Sequence, residues 1–235
     1  MKTFGLLGWP IAHSLSPGIH YAAFEQAGLD WEYVLWPTKP EDLQQAMANF
    51  RLQKYSGANI TIPHKETVIS CLDGLTPRAE AIGAVNTLFW DGDKLMGDNT
   101  DVDGFLEDLC EKKIKLQNKS VLILGAGGSS KAIQYALKKA GARVKTWTRK
   151  EGPFPSLQEE GEAEISLIVH CTPGLDAEVL DKIRFNPGQV LYDLVYIPKI
   201  TPLMQRALEC GAKAFNGKGM LEKQAALSFE IWKAS

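Results

Sequence analysis

The clearest indication of the fold of this 235-residue chain is the sequence Ser120-Val121-Leu122-Ile123-Leu124-Gly125-Ala126-Gly127-Gly128. An apolar strand runs directly into a glycine turn, and the residues that follow open a helix predicted over 131–139. Such a turn lets the backbone approach phosphates, while the helix start offers unpaired N–H groups to an anion. The stretch predicts a dinucleotide-binding unit whose pyrophosphate site uses Gly125, Ala126, Gly127, Gly128 and Ser129.

The surroundings of this motif strengthen the prediction. Gly141 ends the helix, and a second apolar strand is predicted over 142–147. Ser130 stands where the strict pattern has a third glycine. A glycine-rich turn without a ligand is therefore the alternative interpretation of the motif taken alone.

The residues after the second strand bear on which dinucleotide is bound. An NAD site usually carries an acidic side chain there for the ribose 2′-OH, whereas this chain has Thr148, Arg149 and Lys150. Two cations suit a 2′-phosphate, which predicts NADP. A solvated basic turn is the plain alternative, and the nearby Glu151 keeps NAD open as a minor option.

The amino-acid composition limits the classes of protein to which this chain can belong. With 45% hydrophobic residues, the chain suffices for one large or two modest domains. A net charge of −2 gives no electrostatic reason to expect nucleic acid or an anionic membrane as partner. Four scattered cysteines indicate neither a zinc site nor a disulfide framework, which fits a reducing cytoplasm, and we expect no metal. No apolar run approaches the ~20 residues that a bilayer span needs.

Strand and helix patterns alternate along the whole chain, which predicts an α/β fold. In the first hundred residues, strands are predicted at 4–7, 31–36, 56–62, 85–90 and 94–97, with helices at 17–27, 40–50 and 63–72. The second half adds a connecting helix at 101–113, strands at 165–171, 189–195 and 212–215, and a closing helix at 220–233. Between 149 and 166 the chain is rich in Glu, Gly and Pro, which predicts a trimmed sheet edge.

Two of the predicted helix starts carry polar residues that invite a functional interpretation. Ser16 is a natural N-cap with Pro17 at the first helical position, but capping does not account for Ser14. Two hydroxyls at a helix N-terminus can also clamp a carboxylate. Lys65 is predicted in the first turn of the helix that Pro63 opens, where the macrodipole disfavours an ammonium by ~0.3–1 kcal/mol. The neighbouring His64 has no metal-ligand spacing and is interpreted as structural.

Asp101 and Gln224 each have an ordinary explanation beside a functional one. Thr100 resembles an N-cap with Asp101 as a first-turn acid, which by itself accounts for Asp101. The alternative is that this carboxylate faces a cleft and pairs with Lys65. Gln224 borders the apolar stripe of the closing helix, where an exposed glutamine is the default expectation.

Seven segments of the chain resemble, in the same order, the characteristic segments of the shikimate dehydrogenase family. They are residues 14–17, 59–65, 83–87, 98–101, 125–128, 193–196 with 201–203, and 219–221 with 224–226. The resemblance spans nearly the whole chain.

The resemblance implies NADPH-dependent reduction of 3-dehydroshikimate to shikimate in aromatic (chorismate) biosynthesis. Lys65 and Asp101 would be the catalytic pair, because hydride addition creates an alkoxide that needs a cation and a proton donor. Asp101 would orient the ammonium. Ser14 and Ser16 would bind the substrate carboxylate with Tyr196 nearby, and Thr61, Asn86, Asp101 and Gln224 would hold the ring hydroxyls.

The resemblance also implies two α/β domains. Residues 1–100, with a returning C-terminal segment 217–235, would bind a small-molecule substrate, and residues 101–216 would form a doubly wound, Rossmann-like NADP domain. We expect a monomer or homodimer. Besides the glycine turn, the cofactor would contact Thr148, Arg149, Lys150, Thr172, Val195 and Gly217.

The chain departs from the family pattern on the cofactor side. Thr148 and Lys150 replace the usual Asn and Thr, and a segment beginning His170-Cys171-Thr172 replaces the usual Asn-Ala-Thr. The alternatives are a relative acting on quinate or an amino analogue, including one that uses NAD, and a non-catalytic ligand-binding or regulatory module. The segments around Ser14, Ser16 and Gln224 argue against a folate-linked dehydrogenase of similar architecture.

Overall fold

Strands and helices alternate along the chain, and a computed structural model assigns them to two units. The structure describes residues 1–148, 150, 164–175, 180 and 183–235. The first unit comprises Met1–Gly104 and Leu221–Ser235, and the second comprises Phe105–Met220. Each unit has its own sheet and its own buried apolar core. The predicted α/β class is confirmed.

The first unit is built on a six-stranded mixed sheet. Its strands are β1 (Lys2–Gly8), β2 (Trp31–Pro37), β3 (Gly57–Ile60), β4 (Gly74–Leu75), β5 (Thr87–Asp91) and β6 (Lys94–Asp98), in the order β2-β1-β3-β5-β6-β4. β1, β2 and β3 are parallel, and β5 and β6 form an antiparallel hairpin. The hairpin turn contains Gly92 at φ +59°, as its Asp-Gly-Asp sequence predicts.

Two helices connect the parallel strands of the first unit, as parallel neighbours require. α1 (Ser16–Gln26) joins β1 to β2, and α2 (Leu43–Leu52) joins β2 to β3. After α1 the chain reverses at Gly28, whose φ of +66° favours glycine. Both helices confirm the predicted pattern to within a few residues.

The described residues of the second unit form a five-stranded parallel sheet. Its strands are β7 (Ser120–Leu124), β8 (Arg143–Trp147), β9 (Ile165–His170), β10 (Val190–Asp193) and β11 (Lys213–Asn216), in the order β11-β10-β9-β7-β8. β7 lies between β8 and β9, so the direction of winding reverses beside it, which is the Rossmann-like pattern. The predicted trimming of the sheet edge falls mainly on residues 151–163, which lie outside the described residues.

The described residues include further helices that belong wholly or partly to the second unit. After α3 (Pro77–Ile82) of the first unit come α4 (Asp101–Glu111), α5 (Gly128–Lys139), α6 (Pro202–Glu209) and α7 (Lys218–Ala234). α4 begins, and α7 ends, within residues of the first unit. In the described part of the chain, no helix combines the length and the apolar character that a bilayer span requires.

The closing helix α7 completes the core of the first unit. The Trp232 ring stacks on Phe4 with centroids 4.6 Å apart, and its indole N–H donates to the Leu88 carbonyl oxygen at 3.0 Å. A Cβ at Gly57 would lie 2.6 Å from that indole nitrogen, so this position in β3 requires glycine. The apolar stripe predicted on α7 is therefore the face that meets the sheet.

The predicted helix over 63–72 is wrong. After β3 the chain makes a turn in which the His64 N–H donates to the Thr61 carbonyl oxygen at 2.9 Å, and only a 3-10 helix, Thr67–Cys71, follows. Three of its residues, Thr67, Val68 and Ile69, are β-branched, which disfavours an α-helix. Lys65 therefore lies before this 3-10 helix and not in the first turn of an α-helix, so no α-helix macrodipole acts on its ammonium there.

Two other local predictions need correction. Ser16 is the first residue of α1 rather than its N-cap, and within the described residues the Leu15 cap position makes no side-chain capping bond. Instead the Ser16 N–H donates to Ser14 Oγ at 3.2 Å, so Ser14 does have a role in starting the helix. α3 is not among the predicted helices, although Thr76 accepts a capping bond from the Ala79 N–H at its start.

Candidate active site

Lys65 and Asp101 meet although they lie 36 positions apart in the sequence. Lys65 follows the turn after β3, where its carbonyl oxygen accepts from the Val85 N–H at 2.7 Å, and Asp101 is the first residue of α4. The Lys65 ammonium donates to Asp101 Oδ2 at 2.5 Å. The two side chains are 12% and 4% exposed. The pair is therefore largely shielded from water, where a charge-assisted hydrogen bond is strongest.

Asn86 holds the other oxygen of the Asp101 carboxylate. Its Nδ2 donates to Asp101 Oδ1 at 2.9 Å, while its Oδ1 accepts from the Thr100 backbone N–H at 2.8 Å. Because that backbone group can only donate, it fixes which end of the amide faces the carboxylate. Asp101 N–H in turn donates to Asn99 Oδ1 at 3.1 Å. Asp101 is thus held at both oxygens and at its backbone.

Gln224 joins the same group of side chains. Its Oε1 accepts from Asn86 Nδ2 at 3.0 Å, and its Nε2 donates to the Leu221 carbonyl oxygen at 3.0 Å. The default expectation of an exposed glutamine is therefore wrong, because Gln224 is only 8% exposed. A Cβ at Gly104 of α4 would lie 2.8 Å from Gln224 N. This mid-helix glycine, a signal that the sequence analysis missed, marks the close approach that brings Gln224 to the group.

The remaining predicted substrate residues of the first unit lie on two adjoining segments. Thr61 is half-buried in the turn that precedes Lys65, and its side chain lies against Gly8 at the end of β1. Ser14 and Ser16 start α1, with Ser16 buried and Ser14 half-buried. Tyr196 belongs to the second unit, where it is half-buried after β10.

An arginine-centred cluster, which the sequence analysis did not find, anchors the segment before Asp101. Arg78 of α3 donates to Asp98 Oδ2 at 2.6 Å and also pairs with Asp103. Burial alone would raise the pKa of Asp98, but hydrogen bonds from Arg78 and Thr76 outweigh it and hold that pKa below its usual value. Asp98 then accepts from the Asn99 N–H at 2.7 Å.

His64 lies beside the site without belonging to it. It is buried, and its Nε2 donates to the Thr38 carbonyl oxygen at 2.7 Å, which confirms the structural interpretation. Among the described residues, no group of three His, Cys, Asp or Glu side chains is arranged to hold a metal ion.

Every described residue that is predicted to contact the cofactor follows the carboxyl end of a parallel strand in the second unit. The register aligns Leu124 with Trp147 and with His170, and aligns Asp193 with His170 and with Asn216. Ligands of open α/β sheets bind beyond this edge, next to the strand where the winding reverses. Arg149 lies outside the described residues. The others are Gly125, Ala126, Gly127, Gly128 and Ser129 after β7, Thr148 and Lys150 after β8, Thr172 after β9, Val195 after β10 and Gly217 after β11.

The glycine turn fits a dinucleotide pyrophosphate. Gly125 has φ +121°, and a Cβ there would lie 2.8 Å from the Thr172 methyl group. A Cβ at Gly127 would meet nothing within 4 Å among the described residues, so the space beside the start of α5 is open. Gly127 occupies the N-cap position of α5, and because glycine has no side chain it cannot cap the first N–H groups of the helix. A helix start of this kind suits an anion.

The segment that departs from the family pattern forms a buried chain of polar contacts. His170 Nδ1 lies 2.8 Å from Asp193 Oδ1, and its Nε2 lies 2.7 Å from Thr172 Oγ1. Asp193 also accepts from the Thr201 hydroxyl at 2.6 Å and from the Val195 N–H at 3.0 Å. His170 therefore links the ends of β9 and β10 at the predicted cofactor edge.

A parallel sheet with a glycine turn of the dinucleotide-binding type, together with an α/β unit whose lysine–aspartate pair can move a proton, is the arrangement that a dinucleotide-dependent oxidoreductase needs. Residues 6–88 match the family model described as the shikimate dehydrogenase substrate binding domain. The NADP(+) shikimate dehydrogenase of Geobacter metallireducens is 38% identical over 259 residues, covering 98% of this chain and 91% of that protein.

Solved structures extend the similarity to the fold. The crystal structure of shikimate dehydrogenase from Aquifex aeolicus has a TM-score of 0.87 at 36% identity, covering 100% of this chain and 93% of that one. The Thermus thermophilus enzyme in complex with NADP(H) and shikimate has a TM-score of 0.85 at 36% identity, covering 100% and 94%. This chain belongs to the shikimate dehydrogenase family.

Proposed function

We propose that this chain catalyses the reversible, NADPH-dependent reduction of 3-dehydroshikimate to shikimate, a step of aromatic amino acid biosynthesis. The observation that carries the proposal is the contact of Lys65 with Asp101, joined by Asn86 and Gln224, in the unit that matches the substrate binding domain. Reduction of a ketone needs a proton donor at the carbonyl oxygen, and this group provides a lysine held for that purpose.

Lys65 acts as the general acid in the reductive direction. An ammonium has three N–H donors, so the bond to Asp101 directs the other two. A positive charge held in a water-poor site stabilises the oxyanion that develops on the substrate, and Lys65 then gives it the proton. When bound, NADP(H) supplies or takes up the hydride at its nicotinamide ring. In the oxidative direction Lys65 accepts the hydroxyl proton.

The neighbouring polar residues bind and orient the substrate. Ser14 and Ser16 contact its carboxylate at the start of α1, with Tyr196 nearby. The ring hydroxyls are held by Thr61, Asn86, Asp101 and Gln224.

The second unit binds the cofactor along its carboxyl edge. Gly125, Ala126, Gly127, Gly128 and Ser129 hold the pyrophosphate, and Arg149 and Lys150 hold the 2′-phosphate beside Thr148. Thr172, Val195 and Gly217 complete the contacts. This proposal gives residues 1–100 with 217–235 the substrate role and residues 101–216 the NADP role.

The test is an assay of the purified protein with shikimate and with quinate, each against NADP and NAD. We expect the highest kcat/KM with shikimate and NADP. Higher kcat/KM with quinate or with NAD would establish the paralogue alternative. Ligand binding without turnover would establish the regulatory module. A cytoplasmic location and a monomeric or homodimeric state are further predictions, which cell fractionation and light scattering test.

A further inference from the structure

Ser228 is a fully buried residue of α7 that the sequence analysis did not single out. It lies one helical turn after Gln224. Its hydroxyl oxygen is 2.9 Å from Asn59 Nδ2, 2.8 Å from Thr87 Oγ1, 3.2 Å from Thr100 Oγ1 and 3.0 Å from the Gln224 carbonyl oxygen. One hydroxyl therefore joins α7 to β3, to β5 and to the residue before α4.

The direction of these hydrogen bonds follows from the groups whose roles are unambiguous. The Thr100 N–H fixes Asn86 Oδ1 as an acceptor, and the Thr87 hydroxyl donates to the same oxygen at 2.9 Å. That donation uses the only hydrogen on the Thr87 hydroxyl, so Thr87 accepts in its contact with Ser228. Ser228 is therefore the donor to Thr87, with the Gln224 carbonyl as a second acceptor of the same hydrogen.

The donors before Ser228 point in the same direction. Asn59 Nδ2 donates to Ser228 Oγ and also to the Asn86 carbonyl oxygen at 3.3 Å, which fixes the orientation of the Asn59 amide. The Tyr33 hydroxyl donates to Asn59 Oδ1 at 2.9 Å. Every donor from Tyr33 onward is thus directed toward Asn86, which donates to Asp101. Hydrogen bonds aligned in a low-dielectric interior polarise and strengthen one another.

We infer that Ser228 is a positioning residue of the active site, acting through Thr87 and Asn86 on Asp101. The inference rests on the proposed function, which gives Asn86 and Asp101 their contacts with the substrate ring. The ordinary role of a helix serine, a bond back to the carbonyl group four residues earlier, accounts for only one of the four contacts of Ser228. The other three join Ser228 to Asn59, Thr87 and Thr100. Each of these residues in turn has a hydrogen bond with Asn86.

The test is the S228A variant, assayed for kcat and for both KM values. We expect kcat/KM for shikimate to fall about tenfold, because the Asn86 amide is less well held, with KM for NADP unchanged. The matched control is T38V, since Thr38 is also buried in the first unit and its hydroxyl donates to the Trp36 carbonyl oxygen, outside this chain of donors. T38V should keep the wild-type kcat/KM even if its melting temperature falls as much as that of S228A.

A second variant separates a shared chain from independent packing effects. Y33F removes the first donor, and we expect it to lower kcat/KM for shikimate by a smaller factor. The double variant Y33F/S228A should then resemble S228A alone, because the chain is already interrupted. Multiplying losses would contradict the inference. If S228A fails to fold, S228C, which keeps a weak donor of similar size, carries the same test with an intermediate loss expected.

The outcomes distinguish this inference from the proposed function. Absence of shikimate turnover by the wild-type protein overturns the proposed function and, with it, this role of Ser228. Normal wild-type turnover with an S228A kcat/KM within twofold of T38V overturns the inference alone. An equal rise in KM for NADP also overturns it, because a positioning role through Asn86 does not reach the cofactor.

Discussion

Lys65 and Asp101 form the predicted contact, although the helix predicted around Lys65 is wrong. The sequence predicts Lys65 as an unfavourably placed cation in the first turn of a helix, yet Lys65 lies in a turn before a 3-10 helix. The alternative interpretation of Asp101, that it pairs with Lys65, is confirmed by their 2.5 Å contact. The charge that no local rule explains is explained by a partner far away in sequence.

Replacing Lys65 by alanine should lower kcat by ~10²-fold or more, the usual loss when a general acid is removed. The KM for shikimate should change less, because the other proposed substrate contacts, Thr61, Gln224 and the two serines, are unchanged. Steady-state kinetics with NADP measure both effects. K94A, at an exposed lysine that begins β6, is the control and should keep the wild-type kcat. A near-normal kcat in K65A would show that Lys65 is not the general acid.

His20 should make the stability of the protein depend on pH. It is buried and stacked on Tyr33 with centroids 4.3 Å apart, and neither ring nitrogen has a hydrogen-bond partner among the residues that the structure describes. Burial, partly offset by the polar Asn59 side chain, lowers the pKa of His20 to about 4. In the unfolded chain the pKa of His20 is near 6.5, so as pH falls the unfolded chain binds a proton at this residue before the folded protein does.

The free energy of unfolding should therefore decrease between about pH 6.5 and pH 4, by up to ~1.4 kcal/mol per pH unit from this group. Urea denaturation at several pH values measures the slope. H20F, which replaces the imidazole by an apolar ring in an aromatic cluster, should flatten it over this window. H13Q, at an exposed histidine, should retain the wild-type slope. An unchanged slope in H20F would show that other groups cause it.

Glycines have two different roles where the helices of this chain begin or meet another element. Gly104 allows α4 to approach Gln224 of α7, and Gly125 and Gly127 form the turn between β7 and α5. The first constraint is internal to the protein, and the second concerns space left for a ligand. Substitution by alanine distinguishes the two cases.

G104A should destabilise the first unit by ~1–3 kcal/mol, because its Cβ would lie 2.8 Å from Gln224 N and the helices must shift. We also expect a higher KM for shikimate, since Gln224 moves with its helix. Chemical denaturation and kinetics measure the two effects. The matched control is G18A in α1, where a Cβ meets nothing within 4 Å in the described structure. Alanine is the better helix former by roughly 0.5–1 kcal/mol, so G18A should be at least as stable as wild type.

G127A should impair cofactor binding without unfolding the protein. Gly127 has φ −79° and ψ −177°, which alanine adopts readily, so stability should change by less than about 1 kcal/mol. Its Cβ would fill the open space beside the start of α5, and the Kd for NADP should rise about tenfold or more. Calorimetric titration with NADP measures it. Wild-type affinity in G127A would place the pyrophosphate elsewhere.

Throughout the molecule, periodic sequence patterns predicted most of the helices and strands, because these elements form between residues that are close in the sequence. The β7, α5 and β8 succession, the Asp-Gly-Asp hairpin and the closing helix are all confirmed. The helix over 63–72 failed because proline and β-branched residues favoured a turn and a 3-10 helix. α3 was missed although Thr76 and Pro77 form a recognisable helix start and Gly83, at φ +69°, ends it.

The site was less predictable than the fold because its contacts are long-range. Asn86 and Gln224 are 138 positions apart, and Asn59 and Ser228 are 169 apart. No local pattern distinguishes Ser228 from an ordinary small residue on the buried face of a helix. Only the folded chain shows that its hydroxyl has four polar neighbours. The resemblance to the family identified the candidate substrate and catalytic residues. The structure adds the residues, such as Ser228, that contact and hold them.

The parallel register of the second sheet has a consequence for evolution. Its strands end at one level, and each predicted cofactor residue comes after the last paired position of its strand. Because the proposed 2′-phosphate contacts Thr148 and Lys150 follow β8, we expect mutations there to change the preference between NADP and NAD while the backbone pairing of the sheet stays intact. We therefore expect cofactor preference to change, in evolution or by protein engineering, without a change in the sheet.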